Sequence, residues 1–426
     1  MSRERTGLGR VGILRPLSIR DFKLLWTGSA VSLVGDGIYT LAIAWQVYLI
    51  SNTPTALAMV GLAWSLPQVL LMLGSGALAD RVDRRRLMIV GDVIRLAAIG
   101  TVGGLSLTDA LTIPLTVGLV AVYGVGQAIF GPAFSSIVPS IVPPDLLVEA
   151  NSLGQFVRPI AMTLVGPLIG GFLVGSVGTG WAFFADGGTF AFSALMILLM
   201  RVRRPEREPE HEASIWAEAK EGIRYVRQQT WLWAAMVGAF VSLLCVWGPW
   251  EALVPFVVKN DLKGSAKDLG LVFGAGGVAS VLAAVVMGQI GLPRRPVTLL
   301  YLSWALGMLM TAGFGVVDTI WQAMAVAFVS EGSITVLVIV WVTLVQRLVP
   351  TELLGRVFSL DWMISLGGVP LSFAIVGPLA AAIGARPTLI GAGVLGASVT
   401  LAFMLIPGAR DPERDGTLDG LPPIAR

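Results

Sequence analysis

Residues 201–230 read RVRRPEREPEHEASIWAEAKEGIRYVRQQT, a polar stretch in a chain that is otherwise largely apolar. On each side of it lie about six apolar runs long enough to cross a bilayer, whose core takes about 20 helical residues. The segment therefore divides the chain into two sets of spans. Composition agrees: 55% of the 426 residues are hydrophobic and 13% charged, against roughly 25% charged in soluble domains. A soluble enzyme is excluded. A bundle in two halves is what alternating access across a membrane requires.

Working outward, the runs predict spans near 22–50, 55–79, 87–106, 112–138, 152–175, 179–200, 231–258, 268–291, 297–317, 319–346, 357–384 and 387–407. The expected fold class is all-α integral membrane, with twelve transmembrane helices in two six-helix pseudo-symmetric halves. The expected organisation is a first half over 1–200, a linker over 201–230, a second half over 231–407 and a tail over 408–426. The cuts between spans 9 and 10, near Asp318, and between spans 11 and 12, from Gly384 to Pro387, are the least marked. Lysine and arginine sort sharply. Twenty-four lie on the side that holds both termini, and four (Lys259, Lys263, Lys267, Arg386) on the other; only Arg95 and Arg158 fall inside spans. The positive-inside rule then places both termini in the cytoplasm of a multi-pass cell-membrane protein. The run from Phe22 to Ile50 is too long for a signal-peptide core and reads as a retained first span.

Other classes drop out on composition. The lone Cys245 allows no intramolecular disulfide, and the lone His211 lies in the polar segment, so no metal site, cofactor or catalytic residue is expected. No G-x-x-x-x-G-K-[ST] phosphate loop occurs, which argues against an ATP-driven pump. The net charge of +3 gives no reason to expect nucleic acid. A monomer is expected, with protons, lipid and a small molecule as partners. Within the linker, Ile215, Trp216, Ala219, Ile223 and Val226 recur at helical spacing, which predicts a short amphipathic helix on the cytoplasmic membrane face with Lys220, Arg224 and Arg227 towards headgroups.

The two halves repeat. Val142-Pro143-Pro144-Asp145-Leu146-Leu147 before span 5 matches Val349-Pro350-Thr351-Glu352-Leu353-Leu354 before span 11, and Val165-Gly166-Pro167-Leu168 matches Val376-Gly377-Pro378-Leu379. A duplicated six-helix unit puts the substrate path at the interface of the halves.

The sharpest local signal is Gly76-Ala77-Leu78-Ala79-Asp80-Arg81-Val82-Asp83-Arg84-Arg85-Arg86, between spans 2 and 3. Gly76 permits close helix contact, and Asp80 at a helix end beside cations can latch one conformation. With this stretch the chain resembles the major facilitator superfamily, over essentially all twelve spans. Gly76 to Arg85 is similar to that family's G-x-x-x-D-R-x-G-R-R signature, with Asp83 where glycine is usual. Gly166-Pro167-Leu168-Ile169-Gly170-Gly171 resembles the G-P-x-x-G-G motif of its drug/proton antiporters. Phe130-Gly131-Pro132-Ala133, Glu149-Ala150-Asn151-Ser152-Leu153 and Asp186-Gly187-Gly188-Thr189-Phe190 resemble a branch that includes siderophore and macrolide exporters. The resemblance implies a gate at Gly76, Asp80, Arg81, Arg84 and Arg85, and an antiporter motif at Gly166, Pro167, Gly170 and Gly171. One departure matters: the arginine that proton-coupled members often carry in span 4 is missing, and the region reads Tyr123-Gly124-Val125-Gly126-Gln127.

Ionisable groups at membrane depth are expensive and so are functional candidates. At 1.5 Å per residue, Asp36 and Glu331 each lie about 18 Å into their spans, near the midplane. Asp186 and Glu251 fall nearer the outer ends. These four are the expected proton-coupling groups. Asp92 and Arg95, three apart, read as a structural ion pair. Asp361 reads as part of the cytoplasmic gate, and Arg158 as a partner of Asp36 or of an anionic substrate. Tyr39, Trp64, Trp247 and Trp250 are candidates to line a substrate cavity. The expected function is proton-coupled efflux of a drug-like or metabolite molecule; the alternative is a symporter that imports a nutrient.

Overall fold

The structure, a computed structural model, describes residues 12–143, 146–201, 215–350 and 352–415, with side chains described throughout these except at 12–13, 72–81, 148, 155 and 215–219. Among the described residues, twelve helices have the length and apolarity to cross a membrane. They are α1 (Arg20–Ile50), α2 (Pro54–Arg81), α3 (Arg84–Leu107), α4 (Ile113–Ile141), α5 (Leu147–Pro159, a wide π turn Ile160–Val165, then Gly166–Val177) and α6 (Thr179–Leu199). After the linker helix Ile215–Gln228 come α7 (Thr230–Phe256, extended by a π turn Val257–Asp261), α8 (Ala266–Ile290), α9 (Pro296–Gly313), α10 (Ile320–Leu348), α11 (Leu354–Gly367, then Val369–Ile383) and α12 (Ala385–Met404). No strand occurs among the described residues. A lipid-facing backbone must satisfy its own polar groups, and helices do so within one segment.

Local chemistry makes the two faint cuts. Between α9 and α10, Thr319 forms a capping box: its hydroxyl accepts from the Gln322 N–H, and the Gln322 side chain accepts from the Thr319 N–H. That pairing satisfies donors which a helix start leaves orphaned. Between α11 and α12 the chain turns at Gly384, with φ of 92°. Gly178, between α5 and α6, has the same φ of 92°. Side-chain-bearing residues rarely adopt that region, so each half uses a glycine for the same turn. Asp83 has a role of its own: it caps α3 by accepting from the Arg86 N–H at 3.2 Å.

The chain forms two compact units. The first comprises 1–52, 63–208 and 265–274; the second comprises 53–62, 209–264 and 275–426. The start of α2 thus groups with the second sequence half, and the start of α8 with the first. Both exchanged ends pack on the repeated Val-Gly-Pro-Leu segments. In the first unit, a methyl group at Gly171 of α5 would stand 2.8 Å from the Ala266 carbonyl oxygen and 3.0 Å from the Cα of Gly270, so α5 and α8 meet backbone to backbone. In the second, the Thr55 hydroxyl donates to the Gly377 carbonyl at 3.3 Å, and the Phe373 ring fills the space beside Gly61. Small residues at such crossings raise van der Waals contact, the main attraction left between helices in lipid.

The linker helix belongs to the second unit. Its packed face is Gly222 and Val226, with Gly222 against Arg356 and Leu360 of α11, and Tyr225 donating to the Leu348 carbonyl at 3.3 Å. Glu221 pairs with Arg356. Ile223 is 44% exposed, next to exposed Lys220, Arg224 and Arg227. Gly222 faces α11 closely: a methyl group there would stand 3.2 Å from Arg356 Cβ and 3.3 Å from Leu360 Cδ1. The expectations for Ile215, Trp216 and Ala219 fall outside the described side chains.

Candidate functional site

The site is built around Gly35-Asp36-Gly37 of α1. A methyl group at Gly35 would meet Thr189 and stand 2.5 Å from the Asp186 Oδ1 of α6. One at Gly37 would stand 2.8 Å from the Met162 carbonyl oxygen and 2.9 Å from the Cα of Gly166 in α5. The two glycines let α1 lie close against both neighbours, which buries Asp36 to 9% exposure. Gly166 and Gly170 of the G-P-x-x-G-G segment face Gly37 and Ile38, while Gly171 faces α8. One motif therefore tightens two different helix contacts, beside the π turn at Ile160–Val165.

Around Asp36 lies a buried polar cluster. Tyr123 of α4 donates its hydroxyl to Asp36 Oδ1 at 2.7 Å. Its ring stacks on Tyr39, centroids 4.6 Å apart, and meets the Phe190 edge at 5.8 Å. Arg95 of α3 is 1% exposed, and its guanidinium lies between the rings of Phe130 at 4.5 Å and Phe190 at 4.3 Å. It donates to Gln127 Oε1 at 2.8 Å and to Asp92. The i,i+3 pair expected from spacing is therefore present. Gly126 makes room for it, since a methyl group there would stand 2.8 Å from Arg95 Cγ. Span 4 carries no arginine of its own, yet Arg95 reaches Gln127 from the neighbouring helix.

Asp186 is fully buried, and neither of its carboxylate oxygens accepts a hydrogen bond among the described residues. It stands alongside Gly35, at the level of Asp36, rather than near the outer end of its helix. Arg158 is exposed, and the partner of Asp36 is the neutral Tyr123.

In the second unit, Glu251 of α7 and Glu331 of α10 are half-buried and within electrostatic range of each other. A methyl group at Gly276 of α8 would stand 2.7 Å from Glu331 Cγ. Asp361 of α11 accepts from the Trp341 indole N–H at 3.0 Å, and Trp231 meets Trp341 edge-on. Among the cavity candidates, Tyr39 is in the Asp36 cluster. Trp250 packs edge-on to Phe314 at 5.2 Å, the buried Trp247 indole N–H has no hydrogen-bond partner among the described residues, and the Trp64 carbonyl abuts Gly124 of α4. At the expected gate, Arg84 donates to the Ser136 carbonyl at 2.8 Å, and Arg85 donates to the Ile197 carbonyl at 2.9 Å and to that of Leu198. The Ile197 and Leu198 carbonyls belong to the last turn of α6, where a cation is favoured by the helix dipole; Ser136 lies further inside α4. The side chains of Gly76, Asp80 and Arg81 lie outside the described residues.

Sequence reasoning passed over Tyr123, Gln127, Phe130 and Phe190 as functional groups. A depth count would have found the first: Tyr123 lies ten residues past Ile113, about 15 Å in, near the level of Asp36.

Comparison with known proteins follows the same lines. Residues 11–415 match a family described as transmembrane secretion effector. The chain is 23% identical over 385 residues to macrolide efflux protein A of Streptococcus pyogenes, covering 88% of this chain and 93% of that one. It is 26% identical over 393 residues to the multidrug efflux pump Tap of Mycolicibacterium fortuitum, covering 88% and 91%. It is 25% identical over 403 residues to the enterobactin exporter EntS of Shigella boydii, covering 90% and 92%. Among solved structures, a bacterial homologue of the iron transporter ferroportin in an inward-facing state matches with a TM-score of 0.65 at 16% identity, over 91% of this chain and 99% of that one. A bacterial homologue of the lysosomal transporter Spinster matches with a TM-score of 0.67 at 14% identity, over 96% and 100%. At such identities the structures establish the fold alone.

Proposed function

The chain belongs to the transmembrane secretion effector family of the major facilitator superfamily, and from that premise we propose that it is a secondary exporter which moves a drug-like or metabolite molecule out of the cell in exchange for protons. It is a small-molecule transporter of the membrane and not an enzyme. Two of the three relatives are named for efflux and the third as an exporter. Proton exchange is our inference from one observation: Asp36 and Asp186 stand in a single buried cluster, and the partner of Asp36 is a phenol rather than a cation. A buried carboxylate without a counter-ion is costly when charged, so a group placed there gains from binding a proton and can release it when its surroundings change. Glu251 and Glu331 are candidates for the same duty in the second unit. We place both termini in the cytoplasm, on the arginine and lysine sorting, and read the chain as a monomer. The stretch from Gly76 to Arg85 serves as a latch of the cytoplasmic gate, with Asp361.

The test is Asp36→Asn expressed in a strain that lacks its main efflux pumps. With membrane abundance near wild type, the variant is expected to abolish gradient-driven efflux of whichever compound the wild type protects against. Full efflux by the variant removes Asp36 from coupling. Asp80→Asn is expected to slow turnover more than it weakens binding; unchanged turnover discards the latch.

A further inference from the structure

We propose that the linker helix, Ile215–Gln228, holds the headgroup of an anionic phospholipid on the row Lys220, Arg224 and Arg227. The proposal goes beyond the exporter reading and does not depend on it. The three cations stand at i, i+4 and i+7, which puts them on one side of the helix over about 10 Å. All three are exposed, and none pairs with an acid among the described residues. Among the described side chains of this helix the one acid, Glu221, is paired with Arg356 of α11. Like charges at such spacings disfavour a helix. A bound anion relieves that repulsion.

The row also borders a cavity. Its volume is about 550 Å³, and its lining includes Lys220, Ile223, Arg224, Arg227 and Gln228. That set suits a lipid better than a bare anion. The cations meet the phosphate, the Gln228 amide can donate to a glycerol or ester oxygen, and the 44% exposed Ile223 offers an apolar contact to the chains. The opposite side of the helix is already engaged. Gly222 and Val226 are buried, and Tyr225 donates to the Leu348 carbonyl. The helix is thus held against its own unit with the cations turned outward.

Position points the same way. Arg227 stands three residues before Thr230, where α7 begins, and only Gln229 separates the two helices. The row therefore ends beside the edge of a membrane span, on the side that we place in the cytoplasm. Anionic lipids of that leaflet attract cations next to a span, by roughly fivefold in affinity for each Lys or Arg.

The test follows thermal melting of the full purified chain in detergent while dioleoylphosphatidylglycerol, dioleoylphosphatidylcholine or glycerol-1-phosphate is added. The concentration that gives half the upward shift is expected to be at least about tenfold lower for phosphatidylglycerol than for phosphatidylcholine. Raising NaCl from about 0.05 M to about 0.5 M is expected to remove most of that preference. The variant K220Q/R224Q/R227Q is expected to lose it. The variant R294Q/R295Q, which neutralises two exposed cations before α9, is expected to keep it. An equal response of the wild type to both lipids overturns the proposal, as when the acidic stretch from Glu206 to Glu212 covers the row. Equal loss in the two variants also overturns it, because the attraction is then diffuse. So does a response to glycerol-1-phosphate as strong as that to phosphatidylglycerol, since a soluble anion then fills the row. The comparison of lipids on the wild type needs no variant to fold.

Discussion

Asp36 was legible by depth, because a carboxylate about 18 Å into a span is conspicuous against apolar neighbours. The glycines on either side of it were not, since sequence does not say which helix a missing side chain faces. They are what bury the acid. Gly37→Val is expected to force α1 off α5 and to cost about 1–3 kcal/mol, read as a lower melting temperature and reduced yield in detergent. An unchanged melting temperature means that the close approach at Gly166 is not needed. Tyr123→Phe keeps the ring stack and removes only the 2.7 Å hydrogen bond to Asp36, a loss of about 1.5–3 kcal/mol if the carboxylate is charged. The expected signature is a displaced pH profile of efflux at near-normal abundance; a profile that matches wild type disconnects Tyr123 from Asp36. Arg158 shows the limit of reading charge by position. Its place near the start of span 5 suited a partner for Asp36, but in the structure it is exposed and a phenol has that place.

At the scale of elements, the spans were readable because lipid leaves a chain few ways to satisfy its backbone. The helix ends depended on chemistry that hydropathy does not register. The capping box at Thr319 and the turn at Gly384 made the two faint cuts. Gly178→Ala and Gly384→Ala each place a side chain at φ of 92° and are expected to destabilise by about 1–2 kcal/mol apiece. Thermal melting of the two single variants checks this, and similar losses are expected because the two halves use the same turn. The linker helix shows how one residue sets a face. Helical spacing set Ile223 and Val226 together as apolar positions; in the structure Gly222 faces α11, Val226 is buried and Ile223 is exposed.

At the scale of the whole molecule, twelve spans and a two-half plan followed from the polar segment and the repeat. The exchange of Thr53–Leu62 and Ser265–Gly274 between the compact units did not. It depends on backbone approach at Gly171 and Gly377, and apolarity alone does not specify which helices touch. The same repeated Val-Gly-Pro-Leu segment receives the incoming helix end in each unit, so the duplication accounts for the symmetry of the exchange. The central claim, outward transport coupled to protons, is tested most directly in everted membrane vesicles with an acidic lumen. Adding the compound identified by the efflux screen is expected to draw protons out of the lumen as the compound accumulates inside, in wild-type vesicles and not in those carrying Asp36→Asn. Accumulation with no movement of protons, or protons and compound leaving the lumen together, contradicts the account.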